Sequence, residues 1–251
     1  MLEARGLEKA FGGHVALDGV DLDVAPREVV GLVGPNGAGK TTVLRCVSGE
    51  VRPDAGTLTF ERRDLSGLAV WRRARLGIGR TYQRVEVFGE LTVRDHLLVA
   101  LEARRRPLGG RLWRDLVGMS APGRDERVAL DALLDALGLL DRAEVPVAAL
   151  GLGTCRLVEL ARAVVAGPRL LLADEPSSGL DQEETAELAR VLRDLGASRE
   201  MAVLLVEHDL AMVEAVAHRV VVMDLGRVVA SGSFAEVMGA PEVRRAYLGV
   251  P

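Results

Sequence analysis

Residues 34–42, GPNGAGKTT, decide the fold. They satisfy G-x-x-x-x-G-K-[ST], the pattern of a loop that cradles phosphate groups. The residues before them, EVVGLVG (28–34), form a continuous apolar run ending in glycine, as a buried strand does. The residues after them, KTTVLRCVSG (40–49), have helical spacing and stop at Gly49, where a helix-ending glycine belongs. Strand, glycine loop and helix in that order open an α/β domain. The chemistry accounts for the spacing. Glycines let successive backbone N–H groups converge on an anion, and the helix N-terminus adds a favourable field. Lys40 is placed to reach the β- and γ-phosphates of a nucleotide as a point charge, and the Thr41 hydroxyl to join the shell of a Mg²⁺ ion. Gly34, Pro35, Asn36, Gly37, Ala38, Gly39, Lys40, Thr41 and Thr42 are therefore the candidate nucleotide-binding residues. A glycine turn with an incidental lysine is the bland alternative, and the flanking strand and helix weigh against it.

Two further apolar runs end in acids: RLLLADEP (169–176) and MAVLLVEHD (201–209). Such runs suit the centre of a parallel sheet. Asp174, at the end of the first, is a candidate Mg²⁺ ligand, usually through water. Glu175 beside it is a candidate general base for an attacking water. The pair could instead cap a following helix. Towards the N-terminus, residues 1–30 read as short strands and turns, and VALDGVDLDV (15–24) alternates as a half-buried strand does. Between the two α/β stretches the pattern changes. LTVRDHLLVALEARRR (91–106) opens with a capping-box pattern at Thr92 and Asp95 and carries an apolar face of Val93, Leu97, Ala100 and Leu101. A Pro/Gly-rich stretch follows through Gly123. A second helix is expected over 125–137, with Leu130, Leu133, Leu134 and Leu137 on one side. Roughly 88–165 is thus helical, and the simplest architecture is an α/β core interrupted by a helical lobe.

The bulk numbers exclude several classes. A chain of 251 residues with 49% hydrophobic residues and a net charge of −4 is ordinary for a globular protein, and acids outnumbering bases argue against a general nucleic-acid binder. Its only lysines are Lys9 and Lys40. Cys46 and Cys155 offer no disulfide framework or metal-like spacing, and are expected to be free thiols in a reducing compartment. The opening MLEARGLEKAFGG has no basic-then-apolar signal architecture, and no apolar run approaches the roughly 20 residues that cross a bilayer. A soluble chain is expected, with any membrane role supplied by a partner.

Together these residues resemble the ATP-binding subunit of an ABC transporter, over essentially the whole chain. GPNGAGKTT looks like its Walker A motif, LLLADEP its Walker B, and SSGLD (177–181) its D-loop, carried by Asp181. VEHD (206–209) matches the switch-histidine motif at His208, and RTYQ (80–83) the Q-loop, giving Gln83. The aromatic that stacks on adenine would be Phe11 in KAFGGHVAL (9–17). The resemblance implies a P-loop (RecA-like) ATPase core with an N-terminal antiparallel β-subdomain and an inserted α-helical subdomain. One ABC ATPase domain would span 1–251, with 1–87 and 166–251 forming the core and 88–165 the helical part. It implies ATP and Mg²⁺ as ligands, with Glu175, His208 and Gln83 catalytic and Thr41, Gln83 and Asp174 on the metal. It also implies work at the cytoplasmic face of the cell membrane with a separate permease. GIGRTYQ, the long helical insertion, LLVEHDLAMV and the ending PEVRRAYLG resemble subunits serving branched-chain amino-acid import, where a solute-binding protein takes part indirectly. A non-transport ABC ATPase in DNA repair or translation is the rival reading, but no coiled coil, zinc insertion or second ATPase domain supports it. A low-turnover regulatory subunit is a third.

One motif departs from the family. AALGLGTCRLVELARAV (148–164) stands where the signature Leu-Ser-Gly-Gly-Gln is normally found. Here Leu150, Gly151, Leu152, Gly153 and Thr154 occupy the turn, so the serine is replaced by Gly151 and the glutamine by Thr154. Gly151 and Gly153 keep backbone N–H donors and the helix field, while one side-chain hydroxyl, worth about 1.5–3 kcal/mol to a phosphate, is gone. In this family two ATPase domains sandwich ATP head-to-tail, so each signature faces the partner's phosphate loop. The defect would then weaken the partner's site, which favours a heterodimer with a sister ATPase over a homodimer.

Overall fold

The computed structural model describes residues 1–82, 87–105, 123–198 and 201–248. The chain falls into two compact units, 1–84 with 168–251, and 85–167. The first is the α/β unit. Its N-terminal sheet is antiparallel, in the order β2-β1-β4-β5, with β1 at Leu2–Phe11, β2 at His14–Val24, β4 at Ala55–Phe60 and β5 at Arg63–Asp64. In place of the expected short strands over 1–30, β1 and β2 run for 10 and 11 residues, and register shifts between Ala4 and Ala10 absorb the irregular pattern.

The second sheet has the order β10-β9-β3-β8-β7-β6. Its strands are β3 (Val29–Val33), β6 (Ile78–Arg80), β7 (Leu170–Asp174), β8 (Ala202–Val206), β9 (Arg219–Asp224) and β10 (Arg227–Gly232). Every residue of β3, β7 and β8 is buried, as the unbroken apolar runs require of a sheet covered on both faces. These three strands are parallel, and Leu32 and Asp174 both lie in register with Val206. The segments leaving β3, β7 and β8 therefore emerge side by side at the carboxyl edge of the sheet, where ligands bind in such folds.

Helix α1 (Lys40–Ser48) follows β3 and buries Val43, Leu44, Cys46 and Val47 in the core between the sheets. It ends at Gly49, whose φ of 88° lets its N–H return to the Arg45 carbonyl. The helix is held from outside by Arg73 on α2 (Val70–Arg75), a guanidinium only 4% exposed. Arg73 Nη1 donates to the Cys46 and Val47 carbonyls at 2.6 and 3.0 Å, Nη2 to Leu65 O at 2.8 Å and Nε to Leu68 O at 3.0 Å. A cation set against the last carbonyls of a helix also complements its dipole.

The helical unit contains α3 (Val93–Arg105), α4 (Arg124–Ala136) and α5 (Leu152–Val165). The capping box at the start of α3 forms: Asp95 N–H donates to Thr92 Oγ1 at 3.1 Å, and Thr92 N–H to Asp95 Oδ2 at 3.4 Å. Leu130, Leu133, Leu134 and Leu137 are all buried. His96 is buried too, with Nδ1 on the Thr92 carbonyl and Nε2 accepting from Phe88 N–H at 2.9 Å. Beyond β10, helices α7 (Phe234–Gly239) and α8 (Pro241–Leu248) close the chain of the α/β unit, with α6 (Gln182–Ser198) following β7.

Replacing Arg73 by Met would remove a donor from four carbonyls, those of Cys46 and Val47 being buried at the end of α1, a loss of about 2–4 kcal/mol. Thermal unfolding should show a melting temperature lowered by roughly 5–15 °C. Arg73→Lys should recover only part of it, because an ammonium cannot reproduce the planar fork.

Candidate functional site

The phosphate loop spans β3 and α1, and its shape depends on two close approaches. Gly34 has φ 146°, and a Cβ there would stand 2.1 Å from the Met223 carbonyl oxygen. Gly39 has φ 102°, and a Cβ would meet the Ala16 carbonyl oxygen at 2.4 Å. Neighbouring strands thus close over the loop so tightly that side chains are excluded. Gly37 also has positive φ, 83°, but faces open space. Pro35 is half-buried, Asn36 exposed and Ala38 buried, with Ala38 N–H on the Pro35 carbonyl at 3.2 Å. Thr41 and Thr42 occupy the first turn of α1, where backbone N–H groups lack partners within a helix.

Lys40 is buried, and its ammonium donates to the carbonyls of Gly34 and Pro35 at 2.7 and 2.9 Å. Burial pulls its pKa below the usual lysine range, while the carboxylates of Glu175 and Asp174 draw it back up. A desolvated cation held on carbonyls of a glycine loop can exchange them for a polyanion.

At the end of β7, Asp174 is 2% exposed. Its Oδ2 accepts from Arg80 Nη2 at 3.0 Å, while Oδ1 is buried without a hydrogen-bond partner. Burial lifts the carboxyl above the ordinary aspartate range, the Arg80 guanidinium pulling the other way with help from the Thr41 hydroxyl. Asp174 therefore does not cap a helix. A desolvated, unpaired carboxylate oxygen beside a threonine hydroxyl suits a hard cation with oxygen ligands. Among the described residues no group of three or more His, Cys, Asp or Glu side chains could hold a metal alone.

Glu175 has φ 48°, an uncommon conformation for a non-glycine residue, and its N–H donates to the Val206 carbonyl at 2.9 Å. That turn aims its side chain at His208, whose Nε2 lies 2.7 Å from Glu175 Oε1. A carboxylate and an imidazole so joined can take a proton from water and orient a phosphate oxygen. Asp181 serves in the monomer as N-cap of α6: its Oδ1 accepts from Glu184 N–H at 2.9 Å, and Glu184 Oε2 accepts from Asp181 N–H at 3.2 Å. Phe11 ends β1 opposite His14, 43% exposed, with Lys9 Nζ 5.3 Å from the ring centroid. Gln83 lies outside the described residues. Two charged residues at this edge escaped the sequence reading. One is Arg80, which joins Asp174 to Glu50 and Ser48. The other is the buried carboxylate of Glu207.

In the helical unit Gly151 is the N-cap of α5, and no side chain caps it. A Cβ at Gly151 would meet nothing within 4 Å. Gly153 is buried, and the Thr154 hydroxyl accepts from Arg142 Nη1 at 2.9 Å. Leu157, Leu160, Ala161 and Val164 are buried along the helix behind the turn.

A family model described as ABC transporter matches residues 17–178. Over 99% of its length the chain is 39% identical to LivG of Salmonella typhimurium, a high-affinity branched-chain amino acid transport ATP-binding protein, covering 98% of it. Its identity to the corresponding BraF protein of Pseudomonas aeruginosa is 36%, over 99% of this chain and 98% of that one. The lipopolysaccharide export system ATP-binding protein LptB of Acidithiobacillus ferridurans is also 36% identical, over 99% and 97%. Among solved structures, an ATP-binding cassette of an ABC transporter in its ADP conformation aligns with TM-score 0.86 at 27% identity, covering 100% of this chain and 99% of that one. A nucleotide-free cassette aligns at 0.85 and 26%, with the same coverage.

Gly39→Ala combines backbone strain of about 1–3 kcal/mol with a backbone clash, and should weaken ATP binding by roughly tenfold or more. Gly37→Ala, strained but unobstructed, should lose less. Calorimetric titration with ATP measures both.

Proposed function

The chain belongs to the ABC transporter family, and we propose that it is the ATP-hydrolysing subunit of an importer that energises a separate permease for branched-chain amino acids. The observation that carries the hydrolytic part is the 2.7 Å contact between Glu175 Oε1 and His208 Nε2 at the strand edge that bears the phosphate loop. Similarity to LivG and BraF supports the choice of solute. The permease is placed against the helical lobe, near residues 83–95, at the cytoplasmic face of the membrane. Among the described residues no helix is long and apolar enough to cross a bilayer, which agrees with a peripheral subunit.

In this reading the loop amides of residues 34–42 and the Lys40 ammonium bind and orient the ATP phosphates. Phe11 stacks on the base. Thr41, Asp174 and Gln83 would hold Mg²⁺, which when bound neutralises charge on the phosphates. Glu175 accepts a proton from the attacking water. The His208 Nε2–H, on that carboxylate in the structure, is shared with the γ-phosphate, an electrostatic contribution made where negative charge gathers.

The signature turn separates this chain from an ordinary member. With Gly151 and Thr154 in place of serine and glutamine, the turn keeps its backbone donors but lacks the serine hydroxyl and the glutamine amide, and the Thr154 hydroxyl accepts from Arg142. We place it against a sister ATPase, whose own signature completes the site built on Lys40, Asp174 and Glu175. The partner's site is the weakened one.

Uptake of radiolabelled leucine by cells carrying Glu175→Gln should fall at least about tenfold, on the scale of general-base loss, with the complex still assembled on its permease. Normal uptake, or no association with a permease, would count against the reading.

A further inference from the structure

Glu207 takes no part in the steps above, yet its carboxylate is only 2% exposed. It follows β8 directly and precedes His208. Its Oε1 accepts from Ser177 N–H at 2.8 Å. Its Oε2 accepts from His208 N–H at 3.0 Å and, more distantly, from Asp209 N–H at 3.5 Å. These donors lie on two separate segments. One leaves β7 through Glu175 towards Asp181, and the other leaves β8 through His208. Taking a carboxylate out of water is costly, and backbone N–H groups on both oxygens offset that cost. An amide could not do the same, because it offers one acceptor oxygen and would turn an NH₂ group towards an N–H.

The same two segments carry the two halves of the Glu175–His208 contact. Glu175 is already in an uncommon backbone conformation, so its direction depends on what pins the residues after it. Ser177, two residues on, is pinned by Glu207. His208 is pinned through its own N–H by the other oxygen of the same carboxylate.

We infer that Glu207 is a positioning residue for hydrolysis, one buried carboxylate that holds the backbones of the Glu175 and His208 segments together and so sets their hydrogen bond. The inference rests on the reading of Glu175 and His208 as the hydrolytic pair. Its action runs through His208, so removing both groups should cost little more than removing one.

The test is a double-mutant cycle in the complex assembled with its sister ATPase and permease, with turnover and ATP affinity measured for this chain as wild type, Glu207→Gln, His208→Ala and the double variant. Glu207→Gln should lower kcat by about tenfold through misplacement, with ATP affinity unchanged within about twofold. In the His208→Ala background the same change should lower kcat by less than about twofold. An equal loss in both backgrounds, an unchanged kcat, or a loss explained by weaker ATP binding would overturn the inference. Full turnover in His208→Ala alone would overturn the reading of the pair itself, and is separately visible. Should Glu207→Gln fail to fold, Glu207→Asp carries the same cycle with the same outcomes, since it keeps both acceptor oxygens on a shorter stem.

Discussion

The parallel ladder linking β3, β8 and β7 is the constraint on which the site depends. Its register puts Leu32 and Asp174 level with Val206. Three chain segments distant in sequence must therefore leave the sheet at one edge: the phosphate loop, Asp174–Glu175 and Glu207–His208. Slipping one strand by a single residue would turn its buried side chains to the other face, so the core that fixes the register also fixes the site. With every residue of the three strands buried, such a slip would set each side chain against the wrong packing layer.

The edge so assembled concentrates groups in costly states. Lys40 is buried on carbonyls of its own loop, one oxygen of Asp174 is buried without a partner, and Glu175 holds a positive φ. An anion with its metal would relieve the first two, supplying a negative partner for Lys40 and a ligand partner for the Asp174 oxygen that Arg80 does not reach. Strain and unsatisfied polarity gather where a ligand belongs. Arg73 and Glu207 show the supporting side of the same arrangement, each a buried charge spent wholly on backbone groups.

Much of this was legible in the sequence. The run EVVGLVG, the glycine spacing after it and the closing Gly49 are local signals, and the fold class follows from them. The capping box at Thr92 and Asp95 and the Leu130–Leu137 face are also local. Partnerships across the sequence were not legible: Arg73 with Cys46, Arg80 with Asp174 and Glu207 with Ser177 bring together residues that only the folded sheet makes neighbours. The β4–β5 hairpin was silent for another reason. Its turn uses Glu61 and Arg62 at φ 49° and 65°, without the glycine or asparagine that usually announces one. Asp181 is a different case, because the sequence pattern points to a D-loop residue and the structure displays the same side chain as a helix cap.

The proposed asymmetry of the transporter turns on Gly151. Open space around it shows that packing does not demand glycine there, and the helix behind it is intact. The loss is confined to side-chain donors at a turn that the family presents to its partner's nucleotide. The most direct measurement traps the post-hydrolysis state of the assembled complex with vanadate and a radiolabelled, photoreactive ATP analogue, then identifies the labelled subunit. The account predicts label on this chain, with Gly151→Ser moving the distribution towards equality. Label chiefly on the partner ATPase in the unaltered complex would contradict it.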